Sequence, residues 1–148
     1  MTLVIAETKD IATCRALRRT VFIEEQGVSE ADEVDDLDAV AIHLLAHLNG
    51  HAIGSARLIV LGDTGKIGRV CVLHAHRGAG HGAALIHAAV ARFRDMPEIK
   101  YAKLGAQTHA LGFYAALGFI AIGPEFDDAG IAHRDMLLQF KPLPPASL

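Results

Sequence analysis

Cysteine is scarce in this chain. Cys14 and Cys71 stand far apart with no CxxC spacing, which excludes a disulfide framework and reads as two buried free thiols of a reducing, cytoplasmic compartment. Long apolar runs are missing too. None approaches the length of a membrane span, and "MTLVIAETKD" lacks the basic start and apolar stretch of a signal peptide, so no membrane partner is expected. Positive charge is not in excess: the net charge of −3 gives no electrostatic ground for a nucleic-acid partner. There is no repeat and no low-complexity segment. What the chain has in quantity is apolar residues, 51% against 21% charged over 148 residues, enough for one domain with a substantial core. The expected division is a single domain over residues 1–141 and a tail over 142–148, within the proline-rich "KPLPPASL".

Hydrophobic periodicity orders the elements. "LVIA" reads as a short strand. Ile11, Cys14, Leu17 and Val21 share one helical face, and Asp10 can cap that helix. The polar "EEQGVSEADEVDDLD" predicts a loop or a short irregular helix. "AIHLLAHL" and "HAIGSARLIVL" flank Asn49-Gly50, the strongest short hairpin signal. "GDTG" is a second turn, and "KIGRVCVL" completes a three-strand meander. "AALIHAAVARFRD" is helical and stops at Pro97. "KYAKLGAQ" is a strand, and "THALGFYAALGF" a helix ending near Gly118. "FIAIG" and "AHRDMLLQF" predict two closing strands joined by an acidic loop, "PEFDDAG". The order β-α-βββ-α-β-α-ββ implies an α+β fold, a mixed and mostly antiparallel sheet of about seven strands flanked by helices.

Between the meander and the next helix lies "HRGAGHGAAL", with glycines at 78, 80 and 82. Glycine at that density is costly to order. Bare amides leading into a helix N-terminus make an anion cradle; the alternative is a tight turn whose glycines relieve strain. A P-loop would need Lys-Ser or Lys-Thr after the glycines. A dinucleotide fold would need GxGxxG within a βαβ unit. Neither fits.

Arg77-Gly78-Ala79-Gly80-His81-Gly82 reads R-x-x-G-x-G after a strand ending "RVCVL". It resembles the acyl-CoA signature of the GNAT superfamily of acetyl-CoA-dependent N-acetyltransferases. "FYAALGF", residues 113–119, looks like that family's FYxxxGF helix, and the element order matches its fold. "VFIEEQGV", "DDLDAVAIH", "LGAQ" and "FDDAGIAHRDM" are similar to a small bacterial branch, the ElaA-like proteins. "HAHR", which places His74 and His76 before the arginine, departs from the family's usual proline and acidic residue.

The resemblance implies direct transfer of acetyl from acetyl-CoA to a primary amine of a small molecule in a ternary complex. A non-catalytic acyl-CoA sensor and a peptide N-acetyltransferase stay open beside it. Residues 77–82 would cradle the pyrophosphate, with Gln107, His81 and His109 lining the cofactor slot. The strand before them would splay from "KYAKLGAQ", so that pantetheine pairs with backbone near Val70 and Val72, one of whose amides would be the oxyanion donor. Tyr114 matches the tyrosine that would protonate the leaving thiolate. Glu25, Glu33, Asp35, His43 and His133 are candidate general bases, Glu25 first and His43 next, with a water relay as the alternative. Residues 24–38 carry eight acidic groups and no Lys or Arg. Most read as a solvated loop; a few, Glu33 and Asp35 among them, would form an electronegative mouth for a cationic amine. His133 would help shape the acceptor pocket, and the final strands are a candidate homodimer interface. No metal is expected: His43, His47 and His51 sit on extended chain, and there is no HExxH pattern or cysteine partner.

Overall fold

The computed structural model describes residues 2–140; the tail expected over 142–148 lies outside them. Seven strands form one sheet in the order β1-β2-β3-β4-β5-β7-β6. They are β1 (Leu3–Thr8), β2 (Ile42–Leu48), β3 (His51–Leu61), β4 (Thr64–Val72), β5 (Tyr101–Gln107), β6 (Ile120–Asp128) and β7 (Ile131–Gln139). All pairings are antiparallel except β4 with β5. The α+β reading and the element order hold.

The Asn49-Gly50 signal closes the β2–β3 hairpin with both residues at positive φ, 51° and 84°, as a right-twisted two-residue turn requires. The segment "PEFDDAG" is not the expected loop. Most of it continues β6, which paired with β7 breaks register between Ile122 and Phe126, and only Ala129 and Gly130 turn. The irregularity carries Pro124, which has no N–H to give a ladder.

Helix α1 (Ile11–Arg18) is capped by Asp10, whose carboxylate accepts from the Thr13 amide at 3.1 Å. It runs on as a π-helical segment, Arg19–Glu25. The short α2 (Glu30–Glu33) follows, with Ser29 as its cap. Cys14, Leu17 and Val21 pack with Leu45 and Cys71 on one sheet face. On the other face α3 (His81–Arg94) buries Leu85, Ile86, Ala89 and Phe93 against Ile53, Leu58 and Ile67, next to α4 (Leu111–Ala116). Gly65 permits the close approach of α3 to β4: a Cβ there would fall 2.5 Å from the Phe93 ring.

The pairing of β4 with β5 lasts only from Thr64↔Tyr101 to Lys66↔Lys103. Beyond Lys66 the strands diverge. A register shift against β3 between Ser55 and Arg57, with Arg69 at φ 49°, bends β4 away as a β-bulge does. The resulting cleft in the middle of the sheet is where the site lies.

Candidate active site

At the mouth of the cleft, β4 leads through a single 3-10 turn (His74–His76) into the glycine segment. Gly78 and Gly80 sit at φ 82° and 84°, a conformation that glycine adopts without the Cβ penalty. Gly80 caps α3 without any side-chain bond, and the first α3 amide bonded back into the chain is that of Ala84, to the Gly80 carbonyl. The amides of residues 78–83 therefore have no backbone partner among the described residues, at the positive end of a 14-residue helix. That is the physical content of an anion cradle. His81 opens the helix half-buried, while His74 and His87 are exposed.

Arg77 faces this cradle but is engaged. Its Nε donates to the Val72 carbonyl at 2.9 Å, and both terminal nitrogens donate to the Glu25 carboxylate, one at 2.8 Å. The hydrogen bonds from Arg77 hold the Glu25 carboxyl below its ordinary value, which opposes the role of general base first given to it. The next residue, Gln26, accepts from Gln107 Nε2 at 3.3 Å. Two consecutive residues thus bridge the chain beyond β4 and the end of β5 across the open cleft. His109 completes this rim, 2.6 Å from Gln107 Oε1.

Inside the cleft is a cavity of about 380 Å³. Its walls come from the π-helical segment and α2 (Phe22, Glu33), from β3 and β4 (Arg57, Lys66, Arg69, Val70), from α4 (Tyr114), and from the β6–β7 hairpin (Phe126, His133, Asp135). Of the two valines, Val70 lines the cavity; Val72 is buried in the core under α3. Tyr114 reaches the cavity from the α4 side, set edge-on to Phe113 and Phe119 at 5.0 and 6.3 Å. Burial pushes its phenol up, so it stays protonated beyond the ordinary titration range of tyrosine.

His133 stacks on Phe126 at 5.8 Å, and its Nδ1 lies 2.7 Å from the Ile131 carbonyl. A carbonyl only accepts, so Nδ1 carries a proton, and Nε2, the acceptor position of the neutral ring, makes no hydrogen bond among the described residues. His43 is elsewhere. It is 3% exposed on the α1 face of β2, with Nε2 2.9 Å from the Asp38 carbonyl. The general-base role expected of it is corrected: it shares a sheet face with its cross-strand partner Arg57, but it is buried one strand further from the cleft, against the Asp38 carbonyl, and does not line the cavity.

The acidic segment is corrected as well. Asp38 takes bonds from Arg15 (2.9 Å), Arg18 (2.6 and 3.0 Å) and Arg57 (3.2 Å). Asp35 holds Arg57 at 2.8 and 2.9 Å and Arg69 at 3.3 Å. Glu33, 5% exposed, lies 3.1 Å from Arg18 Nε and 3.6 Å from Arg69 Nε. Burial pushes the Asp38 carboxyl up, but the arginine hydrogen bonds outweigh it and hold that group far below the usual carboxylate range. Glu33 and Asp35 are thus neutralised by arginines, not free to form an electronegative mouth. Glu33 Oε1 and the Nε atoms of Arg18, Arg57 and Arg69 make no hydrogen bond in this network, a state that costs about 1–3 kcal/mol per buried group.

The sequence reading missed Arg57, Lys66 and Arg69. The available signal was an arginine in each of two apolar strands, "ARL" and "GRV", facing a segment rich in carboxylate and empty of cations. Neither cysteine is a nucleophile in waiting: burial pushes Cys14 up to about 11 and also raises Cys71. Among the described residues no group of three His, Cys, Asp or Glu could hold a metal ion, and no helix is long and apolar enough to cross a membrane.

Residues 21–140 match the acetyltransferase (GNAT) domain family. The uncharacterized N-acetyltransferase YjcF of Bacillus subtilis is 34% identical over 122 residues, covering 82% of this chain and 86% of that protein. ElaA of Escherichia coli is 33% identical over 124 residues, 81% of each chain. The crystal structure of an acyl-CoA N-acyltransferase from Pseudomonas aeruginosa superposes with a TM-score of 0.82 at 28% identity, over 93% of this chain and 98% of that one.

Proposed function

The chain belongs to the GNAT family of acetyltransferases, enzymes that take their acetyl group from acetyl-CoA, and from that premise we propose that it transfers acetyl directly to a primary amine of a small molecule within a ternary complex. The carrying observation is the cleft itself. The β4–β5 pairing ends at Lys66, and the unpaired edge of β4 runs from there to the unpartnered amides of residues 78–83. Pyrophosphate on those amides would lay pantetheine along β4 as an added strand and bring the thioester to Val70, beside the cavity. A cavity of about 380 Å³ supports a small acceptor over a peptide.

In this reading the Val70 amide polarises the thioester carbonyl. The free Nε2 of His133 takes the ammonium proton, directly or through one water, and the amine attacks. The tetrahedral intermediate expels coenzyme A as thiolate, which Tyr114 protonates, and the second proton of the attacking nitrogen returns through solvent to the phenolate. Glu25, Gln107 and His109 belong to the rim that holds the cofactor arm. Residues 1–141 act as one domain, and the buried free thiols support a reducing, cytoplasmic setting.

The test is release of free thiol from acetyl-CoA with a panel of primary amines. Tyr114→Phe should lower kcat about a hundredfold while keeping acetyl-CoA affinity. Thiol release unchanged in that variant refutes the acid role. Acetyl-CoA binding with no release under any amine would favour the non-catalytic sensor.

A further inference from the structure

The cavity is polarised, and its polarity runs against a purely cationic acceptor. Its floor carries three cations, Arg57 on β3 and Lys66 and Arg69 on β4, with Asp32 and Glu33 of α2 beside the arginines. The arginines are fixed in place. Arg57 is 6% exposed and clamped by Asp35 and Asp38. Arg69 leaves the β-bulge at positive φ, and its Nη2 donates to the Glu33 carbonyl at 3.1 Å and to Asp35. Their Nε–H groups are buried without a hydrogen bond, that of Arg69 3.6 Å from Glu33 Oε1, whereas Arg69 Nη1 makes no hydrogen bond among the described residues, on a side chain 25% exposed.

Lys66 is the last residue paired before the strands diverge, so it stands at the vertex of the cleft. It is exposed and pairs with no carboxylate among the described residues; nearby Asp135 pairs with Lys103 at 3.7 Å. The opposite wall, the β6–β7 hairpin, supplies Asp128, His133 and Asp135. An unpaired lysine and an uncommitted guanidinium nitrogen thus face carboxylates and an imidazole nitrogen across one small cavity.

We propose that the acceptor carries a carboxylate as well as its amine, a zwitterionic amino acid or a close analogue, with the carboxylate held by Arg69 and Lys66 and the amine presented to His133. A guanidinium fixed in place with one terminal nitrogen uncommitted, beside an unpaired lysine, suits a carboxylate. A polyamine or a simple alkylamine would leave those donors unmet and bring like charge to the floor. The acidic hairpin in turn fits the ammonium before it loses its proton. This inference rests on the acetyl-transfer reading for its amine and on the floor alone for its anion.

The test uses matched acceptors, each an amino acid, its carboxamide and the corresponding amine without the carboxylate (leucine, leucinamide and isopentylamine; phenylalanine, phenylalaninamide and phenethylamine). Thiol release gives kcat/KM, and calorimetry on the CoA-saturated protein gives binding. The expected result is a preference for the acid of about tenfold or more in at least one set, the factor of one charge-assisted hydrogen bond. Lys66→Gln, at an exposed and unpaired side chain, should shrink that preference mainly through acceptor KM, with acetyl-CoA affinity intact. Arg69→Gln should abolish it, provided its circular dichroism matches the parent. Amines or amides turned over as well as their acids in every set overturn the proposal, and so does a preference that survives both substitutions. Acids that bind without thiol release would keep the anion site and refute the acetyl transfer.

Discussion

Replacing Gly82 by alanine should stabilise the fold and weaken its hold on acetyl-CoA. Gly82 is the second residue of α3, and its φ is not in the left-handed region. A Cβ built there meets only the Phe113 ring, at 3.8 Å, an ordinary contact. Alanine therefore adds no clash and removes the entropy of a helical glycine, worth about 0.5–1 kcal/mol. For a chain of 148 residues that corresponds to a rise in Tm of roughly 1–4 °C. The same methyl stands beside the free amides at the start of α3. If a pyrophosphate must approach them closely, affinity should fall about tenfold, or ~1.4 kcal/mol. Gly80→Ala is the contrast. Nothing lies within 4 Å of its Cβ, but φ is 84°, so strain of about 1–2 kcal/mol lowers Tm. Calorimetric unfolding with and without acetyl-CoA, together with titration, reads both quantities. Gly82→Ala with a raised Tm and acetyl-CoA affinity within about twofold of the parent would refute the cradle.

Two further predictions follow from the ion pairs. Asp38→Asn leaves Arg18, 2% exposed, as a buried charge short of its partner and should cost about 3–5 kcal/mol in urea unfolding. Because the folded carboxyl titrates below its ordinary value of 3.8, its contribution is complete above that value and is lost as pH falls toward the lower folded one. The parent should therefore lose stability below about pH 4, and the variant should lose less over the same range. Glu25→Gln frees Arg77 and removes a carboxylate from the cradle, so acetyl-CoA affinity should rise about two- to fivefold while the pH profile of kcat keeps its shape. A flattened profile would return the role of base to Glu25.

Chemistry carried by backbone was legible in one dimension. The glycines at 78, 80 and 82 announce amides that need open space, and Asn49-Gly50 fixes a turn through its own torsions. Both are local properties, written in adjacent residues. Tyr114 was legible because the spacing around it matches a family pattern, and it does line the cavity.

What the sequence by itself determined is therefore the element order, the meander, the cradle and the family. Tertiary structure decided which charges are free. Glu25, Glu33, Asp35 and Asp38 look alike along the chain, yet each meets arginines 15–52 positions away in sequence. His43 and His133 are both strand histidines. Sheet order buries one on β2, away from the cleft, and sets the other opposite Gln107 at the cleft. An ionisable group takes its character from the charges and solvent around it, and those neighbours come from distant segments that only the folded sheet brings together.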